Sequence, residues 1–267
     1  MRIGALIPVR LASERLPGKA LLPVCGRPII HHLLDRVVAA NHIRSPRDVV
    51  VTTTEEASDD PLVAAVEAYG CSVFRGARDD IIKRFSDAIE KHGFDAVIQV
   101  DGDDPLTETR FMDLTMKRLL DDPSLGIVWS EGLPLGVNCK SFTAEAMRKV
   151  VAHYKSDTND TGFIYFFTKT GLVKTAVERA EDGADQAPSL RLTLDYTEDF
   201  EVFRNVIEAL YQPGKVFDIR DAISWFRSHP DIAALNTSLD ETYWARTRAK
   251  ANLQFADASG TVHRIDV

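Results

Sequence analysis

The chain opens on a short apolar run, Ile3 to Ile7, and then turns polar for some twenty residues, an alternation that continues through its first half. Apolar runs bounded by turn residues predict strands buried in a sheet. After the polar stretch, Pro28 precedes Ile29, Ile30, Leu33, Leu34, Val37 and Val38, which recur at helical spacing. Proline is favoured at the first helical position, so a helix starting there is predicted. Val49 to Thr53 is β-branched and reads as a second strand. Asp60-Pro61 predicts an N-cap followed by a first-turn proline, with Gly70 closing the helix. Cys71 to Phe74 is a third strand, Asp80 caps a helix over Ile81 to His92 ahead of Gly93, and Ala96 to Val100 is a fourth strand. Strands and helices alternating over short connections predict an α/β fold, a mainly parallel sheet with helices on both faces.

The second half is less regular. Leu125 to Trp129 and Leu190 to Leu194 read as strands, and Thr197 to Leu210 as a helix with acidic residues in its first turn. Ser238-Leu239-Asp240-Glu241 matches a capping box and predicts a last helix. Trp225, Phe226, Tyr243 and Trp244 fall at helical spacing and predict packing against a core or a dimer face rather than ligand contact. No repeat, biased tract or Gly/Ser linker interrupts the chain. The simplest partition is one domain over residues 1–210 with a C-terminal helical extension over 211–267.

Composition narrows the function. Of 267 residues 45% are hydrophobic, too many for a disordered chain. No apolar run approaches the ~18–20 residues of a membrane span. With 32 Lys+Arg against 40 Asp+Glu the net charge is −8, which argues against nucleic acid as the main partner but leaves room for a small anion at a local basic cluster. Cys25, Cys71 and Cys139 show no C-x-x-C pairing, so a disulfide framework or zinc site is not expected and a reducing, cytoplasmic setting is. The start of the chain is too short in its apolar part for a signal peptide and reads directly as a strand.

In open α/β sheets ligands bind beyond the carboxyl ends of the strands. The loop after the first strand, Val9 to Lys19, gathers Arg10, Arg15 and Lys19 with Ser13 and Gly18. Arginine forks and a compact lysine charge suit a polyphosphate, although basic loop residues are also common on solvated surfaces. The loop matches neither G-x-x-x-x-G-K-[ST] nor G-x-G-x-x-G. After the fourth strand comes Asp101-Gly102-Asp103-Asp104-Pro105, whose carboxylates are either hard ligands for Mg²⁺ or parts of an Asx turn. Asp195, at the end of the predicted strand Leu190 to Leu194, is either a second ligand or a cap. Cations for phosphate and two separated aspartates for metal are together the parts needed for attack at a nucleotide phosphorus.

The run Ile7-Pro8-Val9-Arg10-Leu11-Ala12-Ser13-Glu14-Arg15-Leu16-Pro17-Gly18-Lys19 resembles the signature loop of the cytidylyltransferases that activate sugar acids, such as the CMP-Kdo synthetases, and more closely that of their relatives in spore-coat polysaccharide biosynthesis. The resemblance continues through Gly26-Arg27-Pro28, Phe74-Arg75-Gly76 with Asp79-Asp80, Asp101 to Pro105, and Arg191 to Asp195 with Glu198-Asp199, spanning residues 1–210 in order. It implies a three-layer, Rossmann-like nucleotide-binding sandwich with a mixed, mainly parallel sheet, CTP as donor, Mg²⁺ as cofactor, and a homodimer. Carried over by position, Pro8, Val9, Arg10, Leu11, Arg15, Lys19 and Asp101 would hold the nucleotide, with Arg10, Arg15 and Lys19 on the triphosphate. Thr52, Thr53, Gly76 and Asp80 would lie near the cytidine, and Asp103 and Asp195 would bind metal. Asp101 is the candidate general base if the acceptor attacks through a hydroxyl; His31, His32 and His92 are expected to be structural or on the surface.

Two departures concern the acceptor. Where relatives carry an acidic pair, this chain has Asn138 and Lys140, and Asn159-Asp160-Thr161-Gly162-Phe163 replaces an Arg-Glu-His type motif. Asn138, Lys140 and Asn159 are thus candidate acceptor contacts. They predict an acceptor richer in negative charge than a simple sugar acid, such as a phosphate, phosphonate or dicarboxylate, unless Lys140 is merely an exposed lysine. Other readings are a metal-dependent nucleotide-sugar glycosyltransferase, since Asp101-Gly102-Asp103 is an Asp-x-Asp motif, and a catalytically silent nucleotide-binding protein.

Overall fold

A computed structural model describes residues 1–156, 158–159, 161–250, 253–257 and 259–266. Asp160, part of the altered acceptor motif, lies outside them.

The strands are β1 (Ile3–Pro8), the short pair β2 (Pro23–Val24) and β3 (Arg27–Pro28), β4 (Val49–Thr54), β5 (Ser72–Gly76), β6 (Ala96–Gln99), β7 (Leu125–Glu131), β8 (Lys140–Thr143), β9 (Lys174–Arg179), β10 (Leu253–Ala256) and β11 (Val262–Ile265). The helices are α1 (Ile29–Val38), α2 (Asp60–Tyr69), α3 (Ile81–His92), α4 (Thr109–Asp121), α5 (Ala144–His153), α6 (Tyr165–Thr168), α7 (Thr197–Leu210), α8 (Ile219–Ser228), α9 (Pro230–Ala233) and α10 (Asp240–Lys250). Seven strands form one sheet in the order β5-β4-β1-β6-β8-β7-β9. Strand β8 runs antiparallel to both its neighbours, and the remaining pairs are parallel.

The period of two along the strands sends alternate residues into two separate cores. From β1, Ala5 and Ile7 face a core completed by α1, α2, α4, α7 and α8, while Leu6 faces one built on α3, α5 and α6. Val49 and Val51 of β4 divide from Val50 in the same way. Both faces are covered, which is why these strands read as unbroken apolar runs. The result is the mixed, mainly parallel three-layer sandwich.

Several elements differ from the sequence pattern. Leu190, Leu192 and Leu194 are buried as a strand would require, but Leu192 N donates to Leu135 O (2.8 Å) and Leu194 N to Asp103 O (2.7 Å). With its partners on two different loops, the segment forms only an isolated bridge and no ladder. Strands β8 and β9 carry no strong apolar signal, the first because it is four residues long and begins in the cleft, the second because it is a half-exposed edge with charges. Helix α2 begins at Asp60, one residue early, and α1 begins at Ile29 with Pro28 in the N-cap position. The 211–267 extension is not wholly helical, because β10 and β11 pair as an antiparallel ribbon whose Phe255 bridges to Tyr154.

Candidate active site

A cleft of about 740 Å³ opens at the carboxyl ends of β1 and β6, where β8 begins. The loop after β1 is folded on itself: Ser13 N and Gly18 N both donate to Leu11 O, at 2.8 and 3.1 Å, and Gly18 takes a positive φ of 69° that admits glycine best. Leu11 N donates to Asp59 Oδ1 (2.8 Å), whose other oxygen accepts from Thr53 Oγ1 (2.8 Å) and Thr54 Oγ1 (2.5 Å). Burial pushes the Asp59 carboxyl up, but these donors outweigh it and hold its pKa below the usual value. Asp59 thereby ties the basic loop to the end of β4. Gly102 lets the aspartate turn after β6 approach the end of β1, since a Cβ there would stand 2.3 Å from Val9 Cγ2 and 2.5 Å from Pro8 O.

The loop's cations meet the aspartates in this cleft. Lys19 Nζ donates to Asp103 Oδ2 and Asp195 Oδ1, each at 2.9 Å, and to Leu194 O at 2.6 Å. Arg15 also donates to Asp195 Oδ1 and lies over the Tyr196 ring. Burial lowers the Lys19 pKa, but Asp103 and Asp195 more than offset it and leave the ammonium above its ordinary value. Asp103, opposed by burial, is held low by Lys19. Asp104, buried beside Asp103 and Asp101, is pushed well above the usual carboxylate range by burial first and its neighbours second.

A second pair lies alongside. Lys140, opposite Gln99 in the β6–β8 register, donates to Asp101 Oδ2 at 2.7 Å, and Gln99 Nε2 donates to Asp101 Oδ1 at 2.9 Å. Burial opposes the Lys140 charge, and Asp101 outweighs burial, so its pKa is raised. Beneath both pairs, Arg191 is fully buried. Its guanidinium holds Asp199 (3.0 Å), reaches Asp195 Oδ2 and Asp240 Oδ1 (3.5 Å each), and lies 4.7 Å from the Tyr243 ring centre.

Of the residues singled out in the sequence, Pro8, Val9, Arg10, Arg15, Lys19, Asp101, Asp103, Lys140 and Asp195 line this cleft. Others do not. Leu11 packs against the core, Thr53 is spent on Asp59, and Thr52 is buried beneath the loop, its carbonyl accepting from Val9 N. Gly76 closes β5 beside Arg84. Asp80 caps α3 through Lys83 N and accepts from Tyr154 Oη and Asn159 Nδ2. Asn159 is buried, with Oδ1 on Ile82 N, and Asn138 accepts from Ser130 Oγ, so these two asparagines serve the framework. His31 and His32 rest on the carbonyls of Ala65 and Val24.

Tyr243 and Trp244, expected to pack a core or a dimer face, line the cleft together with Arg246 and Thr247 of α10. Only Trp225 and Phe226 pack as foreseen. Sequence reasoning missed Arg191, Asp104 and these α10 residues, and also Arg78, Arg84 and Tyr165 of the cleft lining. Arg191 and Asp104 sit inside recognisable motifs, whereas nothing local marks α10 as part of a site.

Among the described residues no group of three or more ligating side chains forms a ready metal cage. Mg²⁺ needs none, since it is commonly held by one or two carboxylates together with waters and substrate phosphates. Asp103 and Asp195 both reach Lys19 Nζ, and Asp195 Oδ2, 3.5 Å from the Arg191 guanidinium, is buried without a hydrogen bond, so two hard carboxylate donors meet here and fit such an ion.

A family model described as cytidylyltransferase matches residues 4–232. The chain is 27% identical over 234 residues to the spore coat polysaccharide biosynthesis protein SpsF of Bacillus subtilis, covering 85% of this chain and 95% of that one. Over 127 residues it is 35% identical to 3-deoxy-manno-octulosonate cytidylyltransferase of Pelobacter propionicus, 47% of each chain. Among solved structures, a cytidylyltransferase from Leptospira borgpetersenii superposes with a TM-score of 0.78 at 27% identity, over 87% of this chain and 97% of that one.

Proposed function

This chain belongs to the cytidylyltransferase family, and from that premise we propose that it transfers CMP from CTP to a small anionic acceptor, releasing pyrophosphate. The observation that carries the reading is the convergence of Lys19 and Arg15 on Asp103 and Asp195, which gathers the charges a nucleoside triphosphate requires at one end of the sheet. A glycosyltransferase would use the same aspartates, but the basic loop is spare parts for it.

The acceptor oxygen attacks the α-phosphorus of CTP in line, a new P–O bond forms, and the bond to the β-phosphate oxygen breaks with pyrophosphate leaving. Arg10, Arg15 and Lys19 would neutralise charge growing on the leaving group, an electrostatic contribution that a desolvated site enlarges. Asp103 and Asp195 would hold Mg²⁺, which when bound supplies charge neutralisation at the phosphates and acidifies a coordinated oxygen. If the nucleophile is a hydroxyl, its proton passes to Asp101, whose carboxylate Lys140 and Gln99 hold in place. An anionic acceptor oxygen needs no base.

The test is pyrophosphate release with each of four nucleoside triphosphates and Mg²⁺, against sugar acids, sugar phosphates, glycerol phosphates and phosphonates. CTP-dependent release with one acceptor class is expected. Preference for another nucleotide, or no binding of CTP, overturns the reading.

A further inference from the structure

Helix α10 lies beyond the matched stretch, which ends at residue 232, yet it walls the cleft with Tyr243, Trp244, Arg246 and Thr247. We propose that α10 is the acceptor-side wall and that Trp244 and Arg246 determine acceptor specificity, the indole facing the acceptor's carbon skeleton and the guanidinium taking its anionic group. The inference rests on the CTP-dependent reading above.

The helix is rooted in the catalytic floor. Asp240, at its start, pairs with Arg191, and Tyr243 lies under the same guanidinium that reaches Asp195. One turn of helix therefore has its position fixed relative to the phosphate-binding residues. The next residues are differently placed. Trp244 packs edge-on against Tyr243, with ring centres 5.2 Å apart, and remains 43% exposed. The cleft is lined by charged side chains and by apolar ones such as Val9, Phe163 and Ile164, and the exposed indole adds apolar surface against which a ligand's C–H face can desolvate.

Arg246 is a cation able to change partners, as are Arg10 and Arg78 in the same cleft, and it is the one of these three that α10 carries. It bridges the cleft to Glu14 of the basic loop at 2.9 Å, and Glu14 is 75% exposed. Such a surface pair contributes only about 0–1 kcal/mol, so an incoming carboxylate or phosphate displaces Glu14 at little cost. Lys140 is the contrasting case. Its side chain is only 14% exposed and its ammonium is held against Asp101 at 2.7 Å, and opening that pair leaves a largely buried charge without its partner. The anionic group is therefore assigned to Arg246, and Lys140 to holding Asp101. The acceptor chemistry that fits is a hydroxylated carbon skeleton carrying one carboxylate or phosphate.

The experiment compares the wild type with Trp244→Ala, Arg246→Ala and Arg246→Lys. CTP affinity is measured by calorimetry, and kcat and KM by pyrophosphate release with 3-deoxy-manno-octulosonate, N-acetylneuraminate, glucose 1-phosphate and glycerol 3-phosphate. Two of these probes carry a carboxylate and two a phosphate, so the panel separates the two anions. The expected result is an acceptor KM raised about tenfold or more in both alanine variants, kcat for the same acceptor and CTP affinity nearly unchanged, and partial recovery of KM in Arg246→Lys. An unchanged acceptor KM overturns the inference. So does a parallel loss of CTP affinity, which would put α10 on the nucleotide, or a wild type that binds CTP but uses none of the four acids. A wild type that fails to bind CTP instead removes the parent reading.

Discussion

Lys19 is asked to do two things, and its surroundings reconcile them. Its ammonium is the counter-ion of two buried or half-buried carboxylates, and it belongs to a loop that would receive phosphate. Replacing it with methionine removes a charge from the leaving-group end and leaves Asp103 and Asp195 facing each other. Lys19→Met is expected to lower kcat/KM for CTP by about 10²–10³-fold, read by pyrophosphate release. Gly102 makes a different demand, on space rather than charge. Gly102→Ala drives a methyl group against Val9 and the Pro8 carbonyl, and the expected cost is about 1–3 kcal/mol in urea unfolding, because the two strand ends must part. None of these pairings could be read along the chain. The motifs announce which side chains carry chemistry, but Lys19 and Asp195 become partners only through the order of strands in the sheet.

At the scale of elements, Asp59 and Arg191 bind segments that no ladder joins. The Asp59 carboxyl is held below its usual pKa in the folded protein, so the stability it confers is fully present above the unfolded value and is lost as pH falls through the folded one. Asp59→Asn is expected to flatten the acid side of the stability profile, below about pH 4, in urea titrations at a series of pH values. Arg191→Met takes the cation from Asp199, which keeps hydrogen bonds from Asp195 N, Tyr196 N and Asn236 Nδ2, and weakens the root of α10. A loss of about 3–5 kcal/mol is expected, measured by chemical unfolding, because a buried carboxylate is left without its counter-ion. Helices α1, α2, α3 and α7 and strands β1, β4, β5 and β6 were legible in the sequence from their apolar runs and caps, whereas α4, α5 and α6 were not foreseen. The period of two in Leu190, Leu192 and Leu194 was also real, but it recorded burial and not pairing. Strand β8 escaped notice for the opposite reason: Lys140 and Ser141 are polar, the first serving the cleft and the second hydrogen-bonded to Thr115.

At the scale of the whole molecule, a chain of net charge −8 concentrates basic side chains on one loop and places carboxylates beside them. CTP would meet the cations of an acidic protein at this loop, and charge attraction there is screened by salt. Raising the salt from about 0.05 to 0.5 M shortens the screening length and is expected to weaken CTP binding several-fold, as seen by calorimetry. Chelation provides the complementary measurement. EDTA is expected to abolish pyrophosphate release and excess Mg²⁺ to restore it, whereas activity that survives EDTA removes the metal role of Asp103 and Asp195. No helix among the described residues is long and apolar enough to cross a membrane.

The reversed direction of β8 has a consequence for how tightly one part of the site is held. In a wholly parallel sheet only the departing ends of strands reach the ligand side, so every functional group there hangs on a loop. Because β8 runs backwards, its first residue, Lys140, arrives at that side already hydrogen-bonded into the ladder, opposite Gln99 and Trp129. The entropy of positioning this lysine and its Asp101 partner is settled when the protein folds, and none of it is left to be charged against the affinity for substrate.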